Sequence, residues 1–154
     1  MRIRPIEPAD AAALVPLCGQ LGYPATLEQV ERRLQLLLGH SGQALLGAED
    51  AAGHVVGWVH VQSRCVFESD PFAEICGLVV DENARGHGVG RDLVAAAEQW
   101  AVAQGHTVIR VRSNVIRTAT HRFYQNHGYA IQKSQISFTK PLTPGTPLTP
   151  GSAA

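Results

Sequence analysis

The sequence predicts a mixed α/β fold: a central mixed sheet with helices on both faces, in the order β-α-α-β-β-β-α-β-α-β. Three observations predict it. Short apolar runs with strand alternation and longer stretches with helical spacing follow one another along the chain. A glycine-rich turn, Arg85-Gly86-His87-Gly88-Val89-Gly90, links the apolar run 75–80 to a helical stretch from Arg91 to Trp100. The length, 154 residues, fits one domain able to bury its own core.

Each element has its own signal. Arg2-Ile3-Arg4-Pro5-Ile6 alternates and opens the chain as a strand. Glu7-Pro8-Ala9-Asp10 begins a helix through Leu17, which Pro16 should distort or shorten. Gly19, Gly22 and Pro24 mark the break. Thr26 caps a second helix, with Gln29 three positions on completing a capping box. Leu27, Val30, Leu34, Leu37 and Leu38 keep its helical spacing, and Gly39 closes it. Residues 43–49 and 54–64 read as two strands joined by the turn 50–53, hence a hairpin. In the second, Val55, Gly57, Val59 and Val61 face one way, and Val56, Trp58 and His60 the other.

A loop around 68–71 leads to a strand over 72–80. After the glycine turn a helix runs from about 89 to 104, with Val89, Leu93, Ala97 and Trp100 as its buried stripe and Gly105 as its end. A strand over 108–112, a helix over 117–127 ended by Gly128, and a closing strand over 129–140 with a turn near Lys133-Ser134 complete the domain, which spans 1–141. The remaining 142–154 belong to a repeated Pro-Leu-Thr-Pro-Gly sequence, too rich in proline and glycine to bury a core, and are expected to form a flexible tail.

Composition excludes several function classes. Thirteen basic and 13 acidic residues cancel, and no Lys/Arg run occurs, so a nucleic-acid partner is not expected. The apolar runs are too short to span a bilayer, and the N-terminus has no signal-peptide core, which gives a cytoplasmic reading with no membrane partner. Cys18, Cys65 and Cys76 form no C-x-x-C pair and read as reduced thiols. The seven histidines lack ligand spacing, so no metal is expected.

The glycine turn carries the chemistry. Three glycines in five positions leave successive N–H groups uncovered, and the following helix adds its free donors and positive dipole end. That makes an anion cradle suited to phosphate. A plain turn needing positive φ would use the same glycines. A nucleotide loop fits less well, because Gly86-x-Gly88-x-Gly90 is not G-x-G-x-x-G and no G-K-[ST] follows. Arg85-x-x-Gly88-x-Gly90 fits [QR]-x-x-G-x-[GA], an acyl-CoA pyrophosphate pattern. Further on, Ser113-Asn114 and the run from Thr120 to Tyr129 fit Asn followed by A-x-x-[FL]-Y-x-x-x-G-[FY], with Thr120 in the small-residue slot. On these residues the chain resembles the GNAT superfamily of acyl-CoA-dependent N-acetyltransferases, over roughly 1–141, with specific motifs confined to 74–129.

The resemblance implies acetyl transfer from acetyl-CoA, as cosubstrate, to an amine of a small molecule or peptide, by direct attack in a ternary complex. A non-catalytic acyl-CoA-binding sensor or regulatory module is the alternative it leaves open. It implies contacts to the pyrophosphate from the turn, Arg85, Gly86, His87, Gly88, Val89, Gly90 and Arg91, the two arginines adding charge or simply flanking it in solvent. Pantetheine would lie along Leu78, Val79 and Val80, with the Val79 N–H on the thioester oxygen, and Asn114 would bond its arm or merely cap a turn. Tyr124 would sit near sulfur and protonate the leaving thiolate. Glu74, 14 positions before Gly88, would be the general base, as in histone-type members, or else a solvent-facing strand residue. Acceptor recognition is expected at Tyr23, Trp58, His60 and Phe72, with no acidic cluster there to mark a polyamine or aminoglycoside. Dimers are common in that superfamily, so a homodimer is compatible, although no interface is legible.

Overall fold

The computed structural model describes residues 1–142; from residue 143 on, the expected tail lies outside the described residues. The chain divides into two units, Met1–Asn114 and the segment from Val115 onward. The first holds a five-stranded sheet in the order β1-β2-β3-β4-β5, formed by β1 (Arg2–Pro5), β2 (Gln43–Glu49), β3 (Val55–Val66), β4 (Ser69–Val80) and β5 (Ile109–Val111). Neighbours are antiparallel from β1 through β4, and β5 joins β4 in parallel, which makes the sheet mixed as expected. Its helices are α1 (Ala11–Leu21), α2 (Leu27–Leu37) and α3 (Val89–Ala103).

The helix expected to end at Leu17 instead begins after a 3-10 turn at Pro8–Asp10 and continues through Pro16 to Leu21, where Gly22 (φ 97°) caps it. Leu14 and Leu17 on either side of Pro16 are buried. Their packing outweighs the lost hydrogen bond and ring clash, worth about 3 kcal/mol. The second helix starts as its sequence requires. Thr26 Oγ1 accepts from the Gln29 N–H at 3.2 Å, and Gln29 Oε1 accepts from the Thr26 N–H at 3.0 Å. Thr26→Ala should therefore cost ~1 kcal/mol, seen in urea denaturation as a lower midpoint at unchanged slope.

Strand alternation on β3 holds: Val55, Gly57, Val59 and Val61 are buried, while Val56, Trp58 and His60 are half-buried on the other face. Gly57 lies against Leu93 of α3, and Trp58 crosses β4 at Gly77, beside Leu21 of α1. The two helical layers thus cover opposite faces. The strand expected from 72 begins earlier, at Ser69, so the loop around 68–71 shrinks to a tight hairpin. Pro71 is tolerated because it sits at a register shift, before pairing to β5 begins at Ala73. A second shift follows, where His60 pairs Gly77 but Val61 pairs Ile75. Cys76 is the extra residue of this bulge, so Cys76 and Gly77 face the α1 side in succession.

On α3 the buried stripe is Val89, Leu93, Val94, Ala97 and Ala101; Trp100, expected in it, is only half-buried and stacks near His106, 6.5 Å between ring centres. In the second unit α4 spans Thr118–Asn126. The strand expected over 129–140 does not form among the described residues. Ile131, Ile136 and Phe138 there are exposed, so no buried face fixes a register for the segment.

Candidate active site

Two features of β4 define the site. The first is an open backbone edge. β5 pairs with Ala73, Glu74 and Ile75, so Leu78, Val79 and Val80 are held by β3 on one side and, among the described residues, have no strand on the other. Backbone groups that point outward here can bond an extended ligand laid along the edge, except the Val80 carbonyl, which accepts from Arg85 Nε. The side chains behave as core or near-core groups, Val79 being buried.

This edge runs straight into the glycine turn. Gln20 of α1 braces the approach: its amide donates to Asp81 Oδ2 at 3.0 Å and accepts from the Glu82 N–H at 2.9 Å. Asp81 Oδ1 in turn accepts from the Asn83 N–H. Gly86 and Gly88 both adopt left-handed φ, 78° and 81°, the conformation that glycine is needed for. Gly88 is the N-cap of α3, and no side chain caps that helix. The first-turn N–H groups, Val89 to Arg91, are therefore left for a ligand anion. Arg85 is steered back by a bond from Nε to the Val80 carbonyl, 3.0 Å. Arg91 is partly neutralised by Asp92, 2.9 Å away, and its guanidinium passes beside Gly88. A Cβ on Gly88 would lie 3.1 Å from Arg91 Nη2.

The second feature is a pocket of about 270 Å³ on the α1/α2 side of β4, just short of the ~300 Å³ floor for common ligand sites. Three of the four expected acceptor residues line it: Tyr23, Trp58 and His60. Phe72 does not; it is buried at the far end of β4, with the Arg110 guanidinium 3.8 Å above its ring. Cys76 and Gly77 of the bulge form the side nearest the open edge, so pocket and edge meet on one strand.

His60 has a defined tautomer. Gln43 Nε2 donates to the Leu37 carbonyl at 3.0 Å, so its Oε1 must accept from His60 Nε2, 3.1 Å away. Nδ1 then keeps the lone pair. Burial also lowers the His60 pKa, which holds the ring neutral near pH 7. Burial raises the Cys18 thiol and pushes Cys76 up to about 11, so both pocket thiols stay protonated.

Glu74 is buried within the sheet, not turned to solvent. Each carboxylate oxygen has a cation: Arg112 lies 2.7 Å from Oε1 and Arg64 3.2 Å from Oε2. Asn114 is the exposed last residue of the first unit, beyond β5. In the second unit Tyr124 is buried between Phe123 and Tyr129, both edge-on at 5.2 and 5.3 Å, and burial pushes its phenol up to about 12. Among the described residues no His/Cys/Asp/Glu group could hold a metal, and no helix is long and apolar enough to cross a membrane.

Sequence reasoning missed Arg33 and Gln43. Arg33 lines the pocket from α2. Its signal was present, since it lies three residues after Val30 and four before Leu37, on the same helical face. Gln43 looked like an ordinary strand residue, and only the β2–β3 register reveals its partner.

The model of the acetyltransferase (GNAT) family matches residues 15–129. Among curated relatives, an aminoglycoside N(6')-acetyltransferase type 1 of Stenotrophomonas maltophilia is 31% identical over 147 residues, covering 92% of this chain and 94% of its own. An aminoalkylphosphonate N-acetyltransferase of Salmonella typhimurium is 36% identical over 92 residues, 58% of each chain. Among solved structures, an aminoglycoside 6'-N-acetyltransferase of Acinetobacter haemolyticus superimposes with a TM-score of 0.80 at 19% identity, over 93% of this chain and 100% of that one, a likeness of fold.

Proposed function

The chain belongs to the GNAT acetyltransferase family, and on that premise we propose that it moves the acetyl group of acetyl-CoA to the amine of a small-molecule acceptor in a ternary complex. The carrying observation is the β4 edge left open beyond Ile75 and running into an uncapped helix N-terminus. An extended amide-bearing arm fits the first, and a pyrophosphate fits the second. Relatives named for aminoglycosides and for aminoalkylphosphonates support a small-molecule acceptor over a peptide.

In this reading acetyl-CoA supplies the activated acyl group, and the protein orients it. Outward backbone N–H groups of β4, those of Leu78 and Val80, receive the developing oxyanion; the Val79 N–H, expected in that role, faces β3. The acceptor enters from the Trp58–His60 pocket and meets the thioester beside the bulge. A primary amine, with an ordinary pKa of ~10.4, must lose a proton to attack. His60 Nδ1 is the pocket group equipped to take it. The role of Tyr124 rests on its motif. With its phenol pushed up to about 12 it stays protonated, and it stabilises the leaving thiolate by donating a hydrogen bond.

Release of CoA thiol across an amine panel tests the reading. Acetyl-CoA binding without thiol release on any amine would instead mark a sensor. Tyr124→Phe should lower kcat by ~10²-fold while acetyl-CoA affinity holds, because the ring remains and only the hydroxyl goes. A kcat within about twofold of the parent would leave Tyr124 as packing alone.

A further inference from the structure

Building on the acetyltransferase reading, we infer that the acceptor is a small amine carrying its own anion, a carboxylate or a phosphonate, on an apolar body. The pocket is walled by Leu14, Val30, Leu34, Leu45 and Trp58, which suits an apolar body. No aspartate or glutamate lines it, and Arg33 is its one permanently charged group. Among the described residues Arg33 has no ion-pair partner, although it lies close enough to Cys18 to act on that thiol. A polycation would meet here one fixed positive charge and nothing negative.

The adjoining sheet face has the same sign. Arg64, Arg110 and Arg112 gather around the Phe72 and Glu74 side of β4, and among the described residues Glu74 is the carboxylate that Arg64 and Arg112 pair with. Strand alternation puts this group on the face that also carries Trp58 and His60. Arg33 in the pocket and these arginines on the adjoining face therefore present positive charge to an incoming acceptor. A guanidinium fork pairs with either oxyanion through two parallel N–H bonds. Trp58 stands on the same wall, its indole N–H buried and without a hydrogen-bond partner among the described residues. The small volume points the same way, because an anchored monoamine fits about 270 Å³ and a multi-ring sugar would extend well beyond it.

The test uses the full chain with matched amines. One series holds the apolar skeleton constant and varies the group beside the amine: phenylethylamine, phenylalanine, and the corresponding aminophosphonate. An aminoglycoside and spermidine complete the panel. Thiol release gives kcat/KM, and thermal shift of the CoA-loaded protein by each amine gives binding without turnover. The expected result is at least tenfold higher kcat/KM, and a larger thermal shift, for an anion-bearing amine than for phenylethylamine. The carboxylate and phosphonate members then show which oxyanion is preferred. Arg33→Gln should raise KM for the anionic amine by about tenfold and leave both phenylethylamine and the KM for acetyl-CoA unchanged. Equal shifts for charged and uncharged partners, preference for the aminoglycoside or spermidine, or an Arg33→Gln enzyme with unaltered KM would each overturn the inference. In all three cases acetyl-CoA still binds, and the acetyltransferase reading stands. Absence of acetyl-CoA binding by calorimetry would remove that reading itself, and this inference with it.

Discussion

Gly88→Val should weaken acetyl-CoA binding by at least ~10²-fold, about 2.8 kcal/mol, in calorimetric titration of the folded variant. Two effects combine. Gly88 has φ 81°, where a β-branched residue is a true outlier. Its Cβ would also stand 3.1 Å from Arg91 Nη2 and push that side chain out of its path. Position 88 is the N-cap of α3, so any relaxation rotates the same N–H groups that would face the pyrophosphate. Gly86 makes a useful control. It shares the left-handed φ, 78°, but a Cβ there meets nothing within 4 Å. Gly86→Ala should therefore lose only the ~1–2 kcal/mol of backbone strain. Unchanged affinity in Gly88→Val would remove the turn from the CoA site.

The contrast between these glycines shows where sequence reading stops. That Gly86 and Gly88 need positive φ follows from their spacing in a turn between strand and helix. Which of the two tolerates a side chain depends on Arg91 folding back over the loop, a contact that no local pattern encodes. The same division runs through the fold. Thr26 and Gln29 announce their helix because both capping bonds are local. Pro16 misled, because its cost is local while the burial of Leu14 and Leu17 that outweighs it is tertiary. The bulge at Cys76 was invisible for a similar reason: a register shift belongs to two strands at once. It turns Cys76 and Gly77 toward the pocket in succession and shifts the β3–β4 register by one residue before Ile75 and Glu74. A closing strand was expected over 129–140, but exposed apolar residues such as Ile131, Ile136 and Phe138 specify no partner.

His60→Gln should reduce turnover by ~10²-fold or more at neutral pH, the range of a lost general base. The deficit should shrink as pH rises and more of the amine is already neutral. Protonation of His60 removes the Nδ1 lone pair, so kcat/KM of the parent should fall on the acid side. Burial lowers this pKa, which places that limb below the ordinary histidine value of ~6.5. The same shift has a stability consequence. The unfolded chain binds the proton more readily, so native stability should decline as pH drops through that region. Glu74→Gln is the informative partner. Both Glu74 oxygens already face guanidinium groups, so taking the amine proton would mean giving up an ion pair. The expected effect is on stability, about 1–2 kcal/mol, below the value for a fully buried pair because Arg64 and Arg112 are 41% and 76% exposed. Its acid limb should match the parent. The opposite pattern, a moved limb and ~10²-fold loss in Glu74→Gln with His60→Gln nearly intact, would transfer the base to Glu74, the residue that the family resemblance implied first.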